Sequence, residues 1–323
     1  MASSRVVLET VLAVLAVMGV GALARRAGIV SGEGGKAMSR LVADVTFPAL
    51  CLDGLAHADG ETLHAGGSVA ALGFLTLALA AGASWLVVRV AGLGEREGPT
   101  ARFSIAIGNW IFLPLPVAEA LFGARGTTVV VLNNVGAQLF LWTAGLVLLR
   151  GGGLDLRAAR AIVRSPGLWA TLIGLVLALA RPTLPSTLGP LDVAIDAGAT
   201  AVHWVASLTI PLVSVAIGVQ LAETREPAPA RSVAAIAIGR LLVAPLVVSA
   251  AIELAVRAGI FTLPPEARMT EHLIAAMPVS LSAAALVERY EGAVPLVSRA
   301  ILVTTLLSVA SAPLWMWLIE RLA

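Results

Sequence analysis

Long apolar stretches alternate with short polar connections along the chain, and most of these stretches are too long for strands. A helix that crosses a bilayer needs about 20 mostly apolar residues. Ten segments answer to that description, at 5–24, 36–55, 65–90, 100–122, 127–149, 165–181, 191–221, 232–257, 268–289 and 294–319. Lengths above about 23 imply tilt or a helical extension into water. Two segments contain runs that a continuous helix does not accept. One is Gly108-Asn109-Trp110-Ile111-Phe112-Leu113-Pro114-Leu115-Pro116; the other is Met277-Pro278-Val279-Ser280-Leu281-Ser282. The first segment ends in Ala22-Leu23-Ala24, like a secretory leader, but Arg25 and Arg26 follow directly, which suits an anchored helix.

Composition agrees with this pattern. Of 323 residues, 58% are hydrophobic and 13% charged, and mean hydropathy is +0.92. A soluble domain carries roughly 25% charged residues, so the bilayer is the solvent that fits. Disorder is excluded by the same numbers. The single cysteine, Cys51, excludes a disulfide framework, and four histidines without ligand spacing give no metal site. No cofactor is expected, and a net charge of +2 leaves no nucleic-acid footprint.

The placement of Lys and Arg is informative. Numbering the connections alternately puts fifteen of them on one side and six on the other, with Arg240 left inside a span. The positive-inside rule assigns the fifteen to the cytoplasm. Both termini then face outward across the cell's inner, or plasma, membrane.

Two halves can be compared. Thr46-Phe47-Pro48 in the second segment parallels Thr209-Ile210-Pro211 in the seventh; 68 residues separate Pro48 from Pro116, and 67 separate Pro211 from Pro278. Five segments per half is an odd number, so the halves enter the membrane in opposite senses. Inverted repeats with interrupted helices in matching places point to a transporter with a midplane site. The expected fold is thus an all-α polytopic membrane protein, with a first repeat at 1–149, a cytoplasmic linker at 150–164 and a second repeat at 165–323. The broken fourth and ninth helices are expected to cross.

Non-helical backbone at membrane depth survives only against protein or a water-filled cavity. Each broken helix offers a new N-terminus with about half a positive charge, which attracts carboxylates and phosphates. Neither run contains Asp, Glu, Lys or Arg. The expected ligand is one small anion, held by Asn109, Trp110, Pro114 and Pro116 from one break and by Pro278, Val279, Ser280 and Ser282 from the other, with Pro48 nearby. Asn109 either bonds the substrate or caps the break. Asn133, Asn134 and Gln138 on the fifth segment serve as interhelical hydrogen-bonders or as site residues. Asp44 and Glu119 are candidates for proton coupling; Glu119 reads equally as a helix-start carboxylate. Arg240 is a functional suspect because a charge inside a span is expensive. His203 reads as a packed histidine, Glu253 as a snorkelling acid, and Trp315 and Trp317 as interface residues.

The order of several short motifs resembles the auxin efflux carrier family in its short bacterial form. Gly108-Asn109, Phe112, Pro116 and Leu121-Phe122-Gly123 are similar to its fourth span, and Ala276-Met277-Pro278 through Tyr290 to its ninth. Ser165-Pro166, Ala216-Ile217-Gly218 and Arg240-Leu241-Leu242-Val243-Ala244-Pro245 are similar to its helix signatures. The resemblance implies a bile-acid-symporter-like fold, a scaffold of helices 1, 2, 6 and 7, a mobile core of helices 3–5 and 8–10, elevator movement and a homodimer. It implies export of organic anions such as auxins or dicarboxylates. Two positions depart from the family: Pro114 stands where it usually has Gly, and Trp110 where it often has Thr or Ser. The alternative is a sodium- or proton-coupled organic-anion symporter of bile-acid type. An enzyme is not expected, since no metalloprotease, diphosphate or nucleophile motif is present.

Overall fold

The computed structural model describes residues 2–56, 58–150, 164–180, 191–223 and 227–322. Most of the expected linker at 150–164 lies outside the described residues, as do Arg157, Arg160, Arg181 and Arg225. The described residues contain helices and no strand.

The first half runs through α1 (Ala2–Arg26), α2 (Gly32–Leu41), α3 (Phe47–Ala56), a short α4 (Gly60–His64) and α5 (Gly66–Val90). It continues through α6 (Gly98–Ala106), α7 (Pro114–Phe122), α8 (Ala124–Phe140) and α9 (Leu146–Arg150). The second half has α10 (Pro166–Ala180), α11 (Leu191–Ser207), α12 (Thr209–Glu223), α13 (Ala230–Ile238) and α14 (Ala244–Arg257), then α15 (Pro265–Ala275), α16 (Ser282–Arg289) and α17 (Val294–Leu322). Among the described residues, six runs are long and apolar enough to cross a membrane: Ser4–Arg26, Gly66–Val90, Ala124–Leu149, Asp192–Ala222, Ala230–Arg257 and Val294–Arg321. The shorter Pro166–Ala180 is also apolar. The segments expected at 36–55, 100–122 and 268–289 are helical but are not single long rods.

Prolines account for several of the irregularities. Proline removes the bond to the carbonyl four residues back. Pro211 has no donor for Ser207, and the chain turns at Leu208 between α11 and α12. Pro48 follows a wide π turn, Val42–Thr46, and Pro245 follows another, Gly239–Val243. The carbonyl that Pro245 leaves without its helical partner belongs to Leu241. It is taken by the indole N–H of Trp315 on α17, at 2.8 Å. Trp315 is therefore buried rather than placed in an interfacial belt, because its donor has an internal acceptor. A third π turn, Leu141–Gly145, joins α8 to α9 without a proline.

Close helix seams are made by glycine. A Cβ on Gly21 of α1 would lie 2.2 Å from the Val215 carbonyl oxygen of α12, and one on Gly218 would lie 1.8 Å from that of Met18. Gly73 of α5 and Gly136 of α8 stand in the same relation to Asn133 and Ala70. Small residues let backbones approach where no hydrophobic force drives helices together. Large apolar side chains on the outside, such as Trp169, Val176, Val193 and Trp204, are half exposed or more. In water such a surface would aggregate; lipid tails cover it.

Candidate functional site

The two unwound stretches meet. Between α6 and α7 the chain runs extended past Gly108; between α15 and α16 it does so past Val279. Gly108 and Val279 form an isolated antiparallel bridge. Asn109 N–H donates to the Pro278 carbonyl at 2.7 Å, and Ser280 N–H donates to the Ile107 carbonyl at 3.0 Å. Backbone groups freed by unwinding thus find partners in the other half of the chain, as burial requires. Pro278 needs no donor here because its neighbours Val279 and Ser280 supply the N–H groups; Val279 N–H bonds the Thr304 hydroxyl on α17 at 3.2 Å.

Arg240 lies directly behind this crossing. Its side chain is only 1% exposed. Nε donates to the Met277 carbonyl at 2.7 Å, Nη2 to Ala275 at 2.6 Å and Nη1 to Ile105 at 3.1 Å. One guanidinium therefore caps the carbonyl ends of both α6 and α15. Each of those ends carries about half a negative charge. The breaks are uncharged in sequence, but in space a full cation stands against them. The π turn at Gly239–Val243 holds Arg240, and a Cβ on Gly108 would lie 2.6 Å from its Cζ.

The expected site residues divide into groups. Asn109 is 4% exposed, and its Oδ1 accepts the Phe112 N–H at 3.0 Å, so it caps the unwound turn. Trp110 is buried, and its indole N–H donates to Asn134 Oδ1 at 3.0 Å. Gln138 bonds Asn134 and Trp142, both at 3.4 Å. Pro114 is the first residue of α7 and Pro116 its third, so the helix restarts at Pro114. Pro278 does not open α16, which begins four residues later at Ser282. Ser280 is buried and Ser282 exposed, with their hydroxyls 2.9 Å apart. Next to Pro48, Phe47 meets Phe112 of the first break edge-on at 6.0 Å.

Other residues are placed apart from the breaks. Glu119 lies on an exposed face of α7, and Asp44 is exposed on the first π turn. His203 is not packed inside: it is exposed and bonds Asp53 at 3.0 Å. That pair lines a groove of about 540 Å³ with Leu177 and Thr200, and none of the groove's lining residues belongs to either break. Glu253 does not simply snorkel, since it bonds Arg268 and accepts from or pairs with His272 at 2.9 Å. Sequence reasoning passed over Glu271 and Thr304. Glu271 is fully buried on α15 and receives Asn133 Nδ2 on both oxygens, at 3.0 and 2.9 Å. Asn133 is therefore committed to Glu271. An acid inside an apolar span was the available signal for Glu271; Thr304 gave none.

Among known proteins, residues 6–316 match the family described as "Membrane transport protein". A protein of Methanothermobacter thermautotrophicus described as an uncharacterized transporter is 28% identical over 310 residues, covering 95% of this chain and 96% of that protein.

Proposed function

This chain belongs to the membrane transport protein family, that of the auxin efflux carriers, and from that premise we propose that it exports small organic anions through the crossing of its two breaks. It is a multi-pass membrane transporter. In our reading it has ten spans in two inverted five-helix halves, with α6–α7 as the fourth and α15–α16 as the ninth. Both termini face away from the cytoplasm of the inner membrane, following the fifteen-to-six division of Lys and Arg.

The observation that carries this reading is the asymmetry Arg240 creates. It compensates the negative ends of α6 and α15 with three hydrogen bonds. The positive starts of α7 and α16 have no acidic residue in their first turns. The crossing therefore favours a carboxylate over a cation. Asn109 and Ser280 supply neutral polar groups beside it, and Trp110 narrows the space or offers a face to an aromatic acid. Expelling one negative charge from a negative interior gains about 2.3 kcal/mol per 100 mV, so the potential itself favours outward movement of an anion.

The packing supports a division of labour. Helix α1 packs on α12, α12 on α2, and α3 on α10 and α11, while α5 packs on α6, α8 and α14, and α17 on α13, α15 and α16; α1 with α17 and α7, and α3 with α8, join the two groups. We assign the first group to a scaffold, the second to a body that moves as an elevator, and the working unit to a homodimer. Flux of labelled carboxylates from proteoliposomes under an imposed potential tests the function. Protein-dependent efflux that grows with internal negative potential is expected; absence of flux for auxin-like and dicarboxylate anions alike would overturn it.

A further inference from the structure

Glu271 lies on α15, seven residues before Pro278, and is fully buried. Both of its oxygens face a single donor, Asn133 Nδ2. Among the described residues no Lys, Arg or His pairs with it. The neighbouring His272 turns the other way, to the Ser249 hydroxyl at 3.0 Å and to Glu253. Arg268 is engaged by Glu253, and Arg125 holds Asp59 and Glu266 at the start of α15. On the other helices packed against α15, Arg89, Glu119, Arg257 and Arg299 are exposed, and Arg321 stacks on Trp317 near Glu320 at the end of α17. A buried carboxylate without a cation is costly and is relieved by taking up a proton.

The partner of Glu271 suits both protonation states. As a carboxylate, Glu271 accepts from the Asn133 amide nitrogen. Asn133 Oδ1 is itself buried and has no hydrogen-bond partner. A half turn of that amide brings Oδ1 to Glu271, where it accepts the O–H of the protonated acid. Gly73 faces the amide without a side chain; a Cβ there would stand 3.1 Å from Asn133 Cγ. The next residue, Asn134, accepts the indole N–H of Trp110 in the break. One pair of adjacent asparagines thus touches the buried acid on one side and the crossing on the other.

We propose that Glu271 is a proton-binding site that couples anion movement at the crossing to a proton gradient. This rests on the transporter reading above and adds the coupled ion to it. The carboxylate takes one proton from water on one side and returns it to water on the other, with no net chemistry. Asn134 and Trp110 carry the difference between the two states to the substrate site.

Proteoliposomes loaded with radiolabelled malate, succinate, benzoate or indole-3-acetate test this, with the potential clamped at zero by potassium and valinomycin and protein-free vesicles subtracted. One proton per anion shifts the accumulation ratio about tenfold per pH unit. Glu271→Gln, which keeps the hydrogen bond but cannot titrate, is expected to lose that pH-gradient response. Glu271→Asp is expected to keep it with a displaced pH midpoint. Wild-type flux that ignores the pH gradient overturns the coupling and leaves the transporter reading intact, whereas no flux of any of the four acids overturns the transporter reading itself. A Gln variant that responds as wild type does, loss of response in both variants, or an unchanged midpoint in the Asp variant overturns the assignment to Glu271.

Discussion

Gly108 and Arg240 share one space: a methyl group at Gly108 would stand 2.6 Å from the guanidinium carbon and 2.7 Å from Nη2. The missing side chain at Gly108 lets the unwound backbone lie against the cation that caps the two carbonyl ends. Gly108→Ala must displace one or the other. We expect it to lower stability by about 1–3 kcal/mol, the usual cost of overpacking, and to abolish flux. Tryptophan fluorescence during thermal unfolding in detergent gives the first number, and vesicle efflux the second.

Arg240 holds three carbonyls that have no substitute donor. Arg240→Met keeps much of the volume and removes every donor, leaving buried acceptors unpaired at about 1–3 kcal/mol each. Arg240→Lys presents a point charge in place of a fork and is expected to fall between Met and wild type. If Arg240→Met melts at the wild-type temperature, the guanidinium is not what holds the crossing together.

Asn109 has one duty in the structure and one in the proposal, and substitution separates them. Its Oδ1 caps Phe112 N–H, and we propose that its side chain also contacts the anion. Asn109→Asp keeps an acceptor for the cap but adds a negative charge, so the melting temperature is expected to hold while stabilisation by organic acids disappears. Asn109→Ala is expected to lose both. Thermal shifts of purified protein against a panel of acids separate the two outcomes.

Much of this was readable in the sequence. The helical segments and both breaks follow from hydrophobic run length and from proline and glycine at Gly108 to Pro116 and at Met277 to Ser282. These features are local, and local rules suffice for them. The partners were not readable. That Asn109 would bond Pro278, or Arg240 reach Ile105, depends on approaches between residues more than a hundred positions apart. Glu271 was passed over for a similar reason. An acid inside an apolar span was a visible signal, but it lies outside the breaks, and that Asn133 rather than a cation faces it shows only in space. The exact restart of each half-helix also moved, to Pro114 and to Ser282, because proline fixes a turn without saying on which side of it the helix begins.

The contacts of Asp59 with Thr62 and Arg125 supply a pH dependence. Asp59 caps α4 and is bonded by Thr62 N–H at 2.8 Å, with Arg125 at 2.5 Å. The Thr62 bond first, with Arg125 in support, holds the Asp59 carboxyl below its ordinary value of 3.8. A depressed carboxylate contributes stability that is fully present above the unfolded value and is lost as pH falls through the native one. Wild type and Asp59→Asn are therefore expected to differ in melting temperature at pH 5 and above, and to converge as the pH falls below 3.8. Parallel melts from pH 3 to pH 6 check this.

Trp315→Phe removes the indole donor to the Leu241 carbonyl and is expected to destabilise by about 1–3 kcal/mol. Pro245→Ala returns the backbone N–H that the helix would otherwise use, so the double variant is expected to recover most of that loss. Additive losses in the double-variant cycle would show that the indole bond does not replace the helical one.

That replacement ties together the fates of two positions seventy residues apart. With the tryptophan in place, proline at 245 is tolerated; without it, proline is a defect. Substitutions at one position are therefore conditional on the other, and descendants of this chain are expected to keep Pro245 and Trp315 together or to lose them together.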